Sequence, residues 1–129
     1  MAKYKVGIVG CGNIFPMHAV SVSGLDQAEL AAVCDIKEER AEEKAEEFDV
    51  NYYFNYKEMI DEEDLDVVHI CTPHHMHAPI TIYACRAGKH VITEKPMAIK
   101  LEDAEEMVRT AADNNVTLGV IFQNRFNPG

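Results

Sequence analysis

The sequence predicts an α/β fold in which a doubly wound parallel sheet lies between two layers of helices. Strand-like and helix-like segments alternate along the 129 residues, which is the pattern of parallel strands joined by crossover helices. The first strand-like segment runs directly into a glycine turn, and the second ends in an acidic residue. Because crossovers between parallel strands are right-handed, this order of elements leaves few possible topologies.

The first strand, residues 4–9, is predicted from an apolar run of valine, glycine and isoleucine that suits a strand covered on both faces. Gly10 can adopt backbone angles closed to other residues, so the chain can turn sharply there. Gly12 carries no side chain, so a phosphate could approach its backbone. Residues 14–23 are predicted to form a helix whose first N–H groups would face an anion in this turn. Gly10 and Gly12 are predicted to bind the pyrophosphate, and the cofactor-binding residues predicted in this turn are Gly10, Cys11, Gly12, Asn13 and Ile14.

The second strand, residues 30–34, leads into Asp35, which lies 23 residues after Gly12. A dinucleotide site places the acid that binds the adenosine ribose about 20 residues beyond the glycines. The carboxylate of Asp35 would accept a hydrogen bond from a 2′-hydroxyl and repel a 2′-phosphate, which favours NAD, while Lys37 softens this preference and leaves NADP possible. These features predict a Rossmann-type sheet of three layers with strand order 3-2-1-4-5-6.

One residue departs from the dinucleotide pattern. Phe15 stands where the pattern has a small residue that lets the first helix pack close to the strand. The departure predicts unusual packing of the first helix and leaves the phosphate contacts unaffected.

The remaining elements follow from the same alternation. Residues 36–48 are predicted to be helical because Ala41, Ala45 and Phe48 form an apolar stripe at helical spacing. The later elements are a strand at 51–54, a helical turn at 56–61, a strand at 67–71, a helix at 77–87, a strand at 90–93, a helix at 101–112 and a strand at 116–122.

Two of the later helices show sequence features that predict where they end or which residues share one side. In the helix at 77–87, Pro79 is tolerated because it lies in the first turn, and Gly88 is predicted to end the helix in the left-handed conformation. In the helix at 101–112, the spacing places four apolar residues on one side, namely Leu101, Ala104, Val108 and Ala111.

Composition limits the possible partners. The length fits one domain with a core, and a net charge of −10 makes nucleic acid and anionic membrane surfaces poor partners. The sequence has no apolar stretch of about 18 residues that would span a membrane. Residues 37–47 hold six glutamates and three basic residues, which is typical of a solvated helix face. The four cysteines show no C-x-x-C spacing, which predicts reduced, buried thiols in a cytoplasmic protein, with Cys11 reachable in the turn.

Three segments that each follow a predicted strand should meet at the carboxyl edge of the sheet, where ligands bind in such folds. They are residues 10–12, 72–77 and 94–96. The second segment has three histidines in four residues, which allows a metal site, a polar lining beside a cofactor or a helix cap, or a plain surface. The lining or cap is favoured because no cysteine or carboxylate has suitable spacing for a metal. His18, His69 and His90 are predicted to be structural. No metal site is predicted.

Lys95 follows a strand in the third segment. In a cleft it could be desolvated, and a nearby nicotinamide cation would lower its pKa further, toward the range useful for proton transfer. Glu94 could orient the lysine or cap an end, and Pro96 stiffens the segment. By chemistry alone, a surface ion pair of Lys95 is the commoner interpretation.

Several motifs together resemble the glucose–fructose oxidoreductase/inositol dehydrogenase (Gfo/Idh/MocA) family. They are Gly10-Cys11-Gly12-Asn13-Ile14 with His18, Cys71-Thr72-Pro73 with His77, Ala87-Gly88-Lys89-His90-Val91, Glu94-Lys95-Pro96-Met97-Ala98 and Arg125-Phe126-Asn127-Pro128. The resemblance implies a domain that binds NAD or NADP. It also implies that Lys95 matches the family lysine that hydrogen-bonds the reacting hydroxyl and assists proton transfer. The cofactor-binding residues expected beyond the glycine turn are Asp35, Cys71, Thr72, Pro73, His74, His77, Glu94, Lys95 and Pro96. His74 departs from the asparagine that many members have.

The resemblance also bears on domain organisation. Residues 1–122 are expected to form the dinucleotide-binding domain, and residues 123–129 to begin the connection to a larger α/β domain that binds substrate and forms a homo-oligomer. The intact protein is expected to transfer a hydride between a polyol or sugar-like hydroxyl and nicotinamide. The chain by itself is expected to bind dinucleotide without turnover. The alternatives are a non-catalytic dinucleotide-sensing protein, an NAD-dependent glycosidase of the same fold, and a pure interaction module.

Overall fold

A computed structural model describes residues 3–121, and its elements alternate as the sequence predicts. The strands are β1 (Tyr4–Val9), β2 (Ala28–Cys34), β3 (Asn51–Tyr53), β4 (Val67–Ile70), β5 (His90–Glu94) and β6 (Leu118–Ile121). The helices are α1 (Phe15–Ser23), α2 (Glu38–Phe48), α3 (Tyr56–Glu62), α4 (His77–Arg86) and α5 (Leu101–Asp113). A single 3₁₀ turn, His74–Met76, precedes α4.

The six strands form one parallel sheet in the order β3-β2-β1-β4-β5-β6, which confirms the predicted topology. Strand β1 lies at the centre, with Val6 opposite Val67 of β4 and Val9 opposite both Cys34 and Ile70. Strands β2 and β3 extend the sheet on one side of β1, and β4, β5 and β6 extend it on the other side. The carboxyl ends of β1 and β4 therefore frame the crevice where such sheets bind ligands.

Two apolar clusters cover the two faces of the sheet, which gives the three predicted layers. One joins the sheet to α3, α4 and α5 through residues such as Met59, Ile80 and Ala111. The other joins it to α1 and α2 through residues such as Ala19 and Ala45. Among the described residues, no helix is both long enough and apolar enough to cross a membrane.

Phe15 lies in the second of these clusters and is fully buried. Its ring meets that of Phe48 edge to face, with the centroids 5.6 Å apart. The large side chain therefore fills the space between α1 and α2. The closely packed residues of α1 against the sheet are Ala19 and Val22, one and two turns further on.

The predicted apolar side of α5 is only partly correct, since Ala111 is buried and Ala104 is half-buried as expected, but the other two residues are not. Leu101 is 75% exposed and Val108 is 57% exposed, whereas Met107, Thr110 and Ala111 are buried. Thr110 could be buried because its hydroxyl donates to the carbonyl of Glu106 (2.7 Å), which satisfies the polar group within the helix. The predicted side left out Met107 and Thr110, so the buried face is turned away from Leu101 and Val108.

Other element boundaries differ by one to two residues. Helix α2 begins at Glu38 because Lys37 is extended, and Ile36 is exposed. Strand β6 begins at Leu118 because Asn115 adopts a positive φ and the Val116 N–H still bonds back to the Ala111 carbonyl of α5. Gly88 has a positive φ of 80°, as predicted for the end of α4. The last residue of the predicted sixth strand (Phe122), the connection at 123–129 and the Arg125-to-Pro128 motif lie outside the described residues.

Candidate functional site: a cleft at the carboxyl edge of the sheet

The three segments that the sequence placed at the carboxyl edge of the sheet do come together. The second and third segments, together with Ile14 just after the glycine turn, line a cleft of about 240 Å³ beyond the ends of β4 and β5. Its lining residues are Ile14, Cys71, Thr72, His74, His77, Glu94 and Lys95. Every one of these residues belongs to the predicted cofactor-binding set.

The glycine turn at the end of β1 has two glycines with different roles. Gly10 has a φ of 101°, and a Cβ atom there would lie 2.6 Å from the carbonyl carbon and oxygen of Cys71. Only glycine therefore allows β1 to leave the sheet this close to the end of β4. At Gly12 the nearest atom to an added Cβ is Nη1 of Arg40, at 3.7 Å, so the space above its backbone is open.

The backbone of the turn presents donors to this space. Phe15 N–H donates to the Gly12 carbonyl (3.2 Å), and among residues 3–121 the N–H groups of Gly12, Asn13 and Ile14 have no acceptor. These groups precede the N-terminus of α1, whose helix dipole favours negative charge. The residues present therefore fit the pyrophosphate of a dinucleotide.

Asp35 is 9% exposed at the end of β2 and supports the turn directly. Its Oδ2 accepts from the Cys11 N–H, and its Oδ1 accepts from the Lys37 N–H, both at 2.8 Å. The sequence predicted a ribose-binding acid at this residue. What the structure shows for Asp35 is that its carboxylate holds the glycine turn against the neighbouring strand.

Two basic residues beside the turn were missed by sequence reasoning. Arg40 lies over Gly12, and Lys44, one helical turn further along α2, lies near both Cys11 and the ring of Phe15. Residues 37–47 had been interpreted as a solvated face because glutamates outnumber basic residues there. The available signal was the i, i+4 spacing of the two basic residues next to the buried stripe of Ala41 and Ala45.

His77 joins the second and third segments. The side chain is fully buried, with Nδ1 2.8 Å from the Pro96 carbonyl and Nε2 3.0 Å from the Thr72 carbonyl. A neutral ring donates to one of these oxygens and an imidazolium donates to both. His77 thus fixes the backbone on either side of the cleft, whereas His74 lines the cleft and is itself exposed.

The metal interpretation of the histidine segment finds no support in the geometry. His74 and His77 are edge to face with ring centroids 5.7 Å apart, and His77 already faces two carbonyls. Within residues 3–121, no group of three or more histidine, cysteine, aspartate or glutamate side chains is arranged to hold a metal ion.

Glu94, which lines the cleft, belongs to a row of three polar side chains in which His18 and Glu94 are buried and His69 is half-buried. His18 Nε2 is 2.6 Å from Oε1 of Glu94, and His18 Nδ1 is 3.0 Å from Nδ1 of His69. The row links α1, β4 and β5, so the structural roles predicted for His18 and His69 are consistent with it. Glu94 neither pairs with Lys95 nor caps an element, as had been considered, because its carboxylate is bonded to His18.

Lys95 lies at the rim of the cleft and is exposed. No carboxylate within the described residues forms an ion pair with it, so the surface ion pair considered from the sequence is not present there. The desolvation expected for Lys95 is also not provided by residues 3–121. The Lys95–Pro96 peptide bond is cis.

The prediction that Cys11 is reachable was wrong. Its side chain is 4% exposed, and its thiol lies 3.6 Å from the Cys34 carbonyl. Burial first, and the charge of Asp35 second, raise the pKa of Cys11 to about 12. All four cysteines are free and buried, as predicted, and a protonated buried thiol is a poor nucleophile.

A parallel sheet in this order, with an open glycine turn at its central strand and an acid at the next strand end, defines a dinucleotide-binding Rossmann domain. A family model described as "Oxidoreductase family, NAD-binding Rossmann fold" matches residues 4–122. The chain belongs to this family, Gfo/Idh/MocA, and is its NAD-binding domain.

Curated relatives agree with this assignment. The chain is 32% identical over 124 residues to the myo-inositol 2-dehydrogenase of Thermotoga maritima, covering 95% of this chain and 37% of the relative. It is 36% identical over 122 residues to the glucose-6-phosphate 3-dehydrogenase of Bacillus subtilis, covering 95% of this chain and 34% of the relative. The chain thus spans little more than a third of the length of the curated relatives it matches.

Solved structures show the same fold. The WlbA dehydrogenase from Bordetella pertussis, in complex with NADH and UDP-GlcNAcA, superposes with a TM-score of 0.94 at 32% identity, covering 98% of this chain and 37% of that one. The scyllo-inositol dehydrogenase from Lactobacillus casei, with bound NAD(H) and scyllo-inositol, gives a TM-score of 0.91 at 28% identity, covering 97% of this chain and 38% of that one.

Proposed function

We propose that the protein containing this chain is an NAD-dependent dehydrogenase that oxidises a hydroxyl of a polyol or sugar-like substrate. The observation that carries the proposal is the convergence of the open glycine turn and Lys95 at one edge of the sheet. A bound dinucleotide would supply the hydride acceptor. The residues of this chain would hold the dinucleotide and place a proton carrier beside it.

The glycine turn is proposed to bind the pyrophosphate. The unpaired N–H groups of Gly12, Asn13 and Ile14 supply donors, and Gly12 leaves room for close approach. Arg40 adds a positive charge at the same place, which matters because the chain as a whole carries a net charge of −10. Asp35 is proposed to accept from the adenosine ribose, since its two oxygens each retain acceptor capacity beside their backbone bonds.

The cleft beyond β4 and β5 is proposed to take the nicotinamide half. In a doubly wound sheet each half of the fold holds one mononucleotide, and this cleft belongs to the second half. Cys71, Thr72, His74 and Ile14 form its walls, and Pro73 and Pro96 shape the two loops that His77 ties together.

Lys95 is proposed to be the catalytic residue that hydrogen-bonds the substrate hydroxyl and assists loss of its proton. Its exposure is compatible with this role, because a second domain and the substrate would close over it and exclude water. Desolvation at that point favours the neutral amine, which can accept a proton. The inositol and sugar-phosphate dehydrogenases among the relatives support a polyol or sugar-like substrate.

The remaining proposals concern the whole protein. The free, buried thiols support a reducing compartment such as the cytoplasm. The net charge supports small molecules as ligands in preference to nucleic acid or anionic membranes. Residues 1–122 are proposed as the dinucleotide-binding domain and residues 123–129 as the start of the connection to the domain that would read the substrate and form a homo-oligomer.

Two experiments test the proposed function. Calorimetric titration of the chain with NAD⁺ should show one site per chain, and a folded sample without binding of NAD⁺ or NADH would overturn the assignment. Turnover of the protein that contains the chain should then give NADH with polyols. Cleavage of aryl glycosides without net NADH would instead indicate the glycosidase, and binding without turnover of either class would indicate a sensor.

A further inference from the structure

Glu94 places a carboxylate beside the proposed nicotinamide cleft. Glu94 is one of the lining residues, and its carboxylate is close enough to the thiol of Cys71, another lining residue, to raise the pKa of that thiol. The carboxylate is almost fully buried, and Oε1 is held by Nε2 of His18 at 2.6 Å. Buried charges are weakly screened by water and salt, so this charge acts on whatever occupies the cleft.

The other two members of the row are histidines, and His69 does not offset the charge of Glu94. Burial, and then the neighbouring His18, lower the pKa of His69 to about 4, so His69 is neutral near pH 8. With His18 neutral, the row carries one negative charge, and replacing the Glu94 carboxylate by an amide removes that charge.

Lys95 places the opposite charge next to this carboxylate in the sequence and at the rim of the same cleft. The two forms of the nicotinamide ring differ by one positive charge, since the oxidised ring is a cation and the reduced ring is neutral. A negative neighbour thus stabilises the oxidised form selectively, and a positive neighbour destabilises it.

We propose that Glu94 and Lys95 set the relative affinity of this domain for oxidised and reduced dinucleotide, Glu94 favouring NAD⁺ and Lys95 favouring NADH. His18 is a positioning residue that holds the carboxylate in place. The inference rests on the proposed function, because it needs the nicotinamide in this cleft. The inference gives Glu94 an electrostatic role toward the nicotinamide ring in addition to its bond to His18.

The test is the ratio of the dissociation constants for NAD⁺ and NADH, measured at pH 8 on the 129-residue chain by calorimetry and by the fluorescence of NADH. Glu94→Gln keeps the shape and the acceptor for His18, and should raise the NAD⁺/NADH ratio of dissociation constants about tenfold. Lys95→Gln should lower the ratio by a smaller factor, about threefold, because its charge is exposed and more strongly screened. Glu94→Asp retains the charge and should keep the ratio near that of the unaltered chain.

Glu29→Gln is the matched control, because it removes the same charge from an exposed residue at the far end of β2. A structural defect would weaken both redox forms together and leave the ratio unchanged. Ratios within twofold of the unaltered chain in both Glu94→Gln and Lys95→Gln would overturn the inference. If Glu94→Gln fails to fold, an unchanged ratio in Lys95→Gln alone overturns it. Failure of the unaltered chain to bind either form would instead overturn the proposed function.

Discussion

The backbone N–H of Cys11 donates to Oδ2 of Asp35 at 2.8 Å, so the glycine turn is tied to the end of the neighbouring strand by a buried carboxylate. Asp35 is the residue that the sequence singled out for the ribose. If Asp35 also binds the ribose as proposed, the same side chain shapes the glycine turn and selects between NAD and NADP.

Asp35→Asn should therefore change selectivity and stability together. Loss of the negative charge removes the repulsion of a 2′-phosphate, so the preference for NAD over NADP should fall about tenfold. The amide nitrogen would face one of the two backbone N–H donors, which should cost about 1–3 kcal/mol of unfolding free energy. Calorimetry with both dinucleotides measures the first effect. Asp26→Asn, at an exposed loop residue, is the control, and an equal change for NAD and NADP would contradict the ribose role.

The two glycines of the turn should respond differently to the same substitution. Gly12→Ala should fold normally, because the added Cβ meets only the end of Arg40 at 3.7 Å, but should lower NAD affinity roughly tenfold or more by blocking the backbone. Gly10→Ala should lower the unfolding free energy by at least roughly 2 kcal/mol, because of its positive φ and the backbone of Cys71.

Urea denaturation and calorimetry separate these outcomes. Gly24→Ala is the control for both, since the helix end there has an ordinary φ of −84° and a Cβ would make only normal contacts. Unaltered NAD affinity in a folded Gly12→Ala protein would place the pyrophosphate elsewhere.

Arg40→Gln should lower NAD affinity by about three- to tenfold in dilute buffer, and this difference should shrink as salt is added, because screening weakens the lost attraction. Arg109→Gln removes the same charge from an exposed residue of α5 and should leave affinity unchanged. Equal effects of the two substitutions would mean that only net charge matters. Binding is measured between about 0.02 and 0.5 M salt.

Phe15→Ala should lower the unfolding free energy by about 3–5 kcal/mol, because it empties the buried space between α1 and α2 and removes the contact with Phe48. Restoring the small residue typical of the pattern would thus harm this protein. Met17→Ala, at an exposed residue of the same helix, should change stability by less than about 0.5 kcal/mol. A small loss of unfolding free energy in Phe15→Ala would contradict this, because it would show that α1 moves to fill the space left by the ring.

The unfolding free energy should fall as the pH drops below about 6.5, the pKa of a free histidine. The pKa of His69 is lowered from 6.5 to about 4 by burial and then by His18, so the unfolded chain binds the proton more readily between these values. Its contribution is fully present above pH 6.5 and is lost as the pH falls to about 4, by roughly a few kcal/mol. His69→Asn should flatten this part of the pH profile of urea midpoints. His75→Asn, at an exposed histidine, should not.

Much of the fold followed from the sequence because its signals are local. Apolar runs marked the strands, and glycines marked the turn at Gly10 and the helix end at Gly88. The face of α5 was predicted only in part: Ala111 is buried as expected, but Thr110 is also buried because an internal hydrogen bond satisfies its hydroxyl, which a count of apolar residues ignores.

The location of the candidate site could be predicted from the sequence, but the contacts between its side chains could not. Strand ends in a parallel sheet must meet at one edge, so Gly12, Thr72 and Lys95 could be brought together from the sequence. The bond between His18 and Glu94 joins residues 76 positions apart, and no spacing along the chain encodes it. The position of Arg40 beside Gly12 could not be predicted for a similar reason, because it depends on which side of α2 faces the turn.

The central place of β1 has a consequence for biosynthesis. Its first partner, β2, follows within about thirty residues, but Val6 pairs with Val67 on the other side. At about 5–20 residues per second, a ribosome needs several seconds to deliver β4 after β1. During that interval the nascent half-sheet exposes an unpaired apolar strand edge, of the kind that recruits other chains. Overproduction at lower temperature or with a holdase chaperone should therefore raise the recovered soluble fraction.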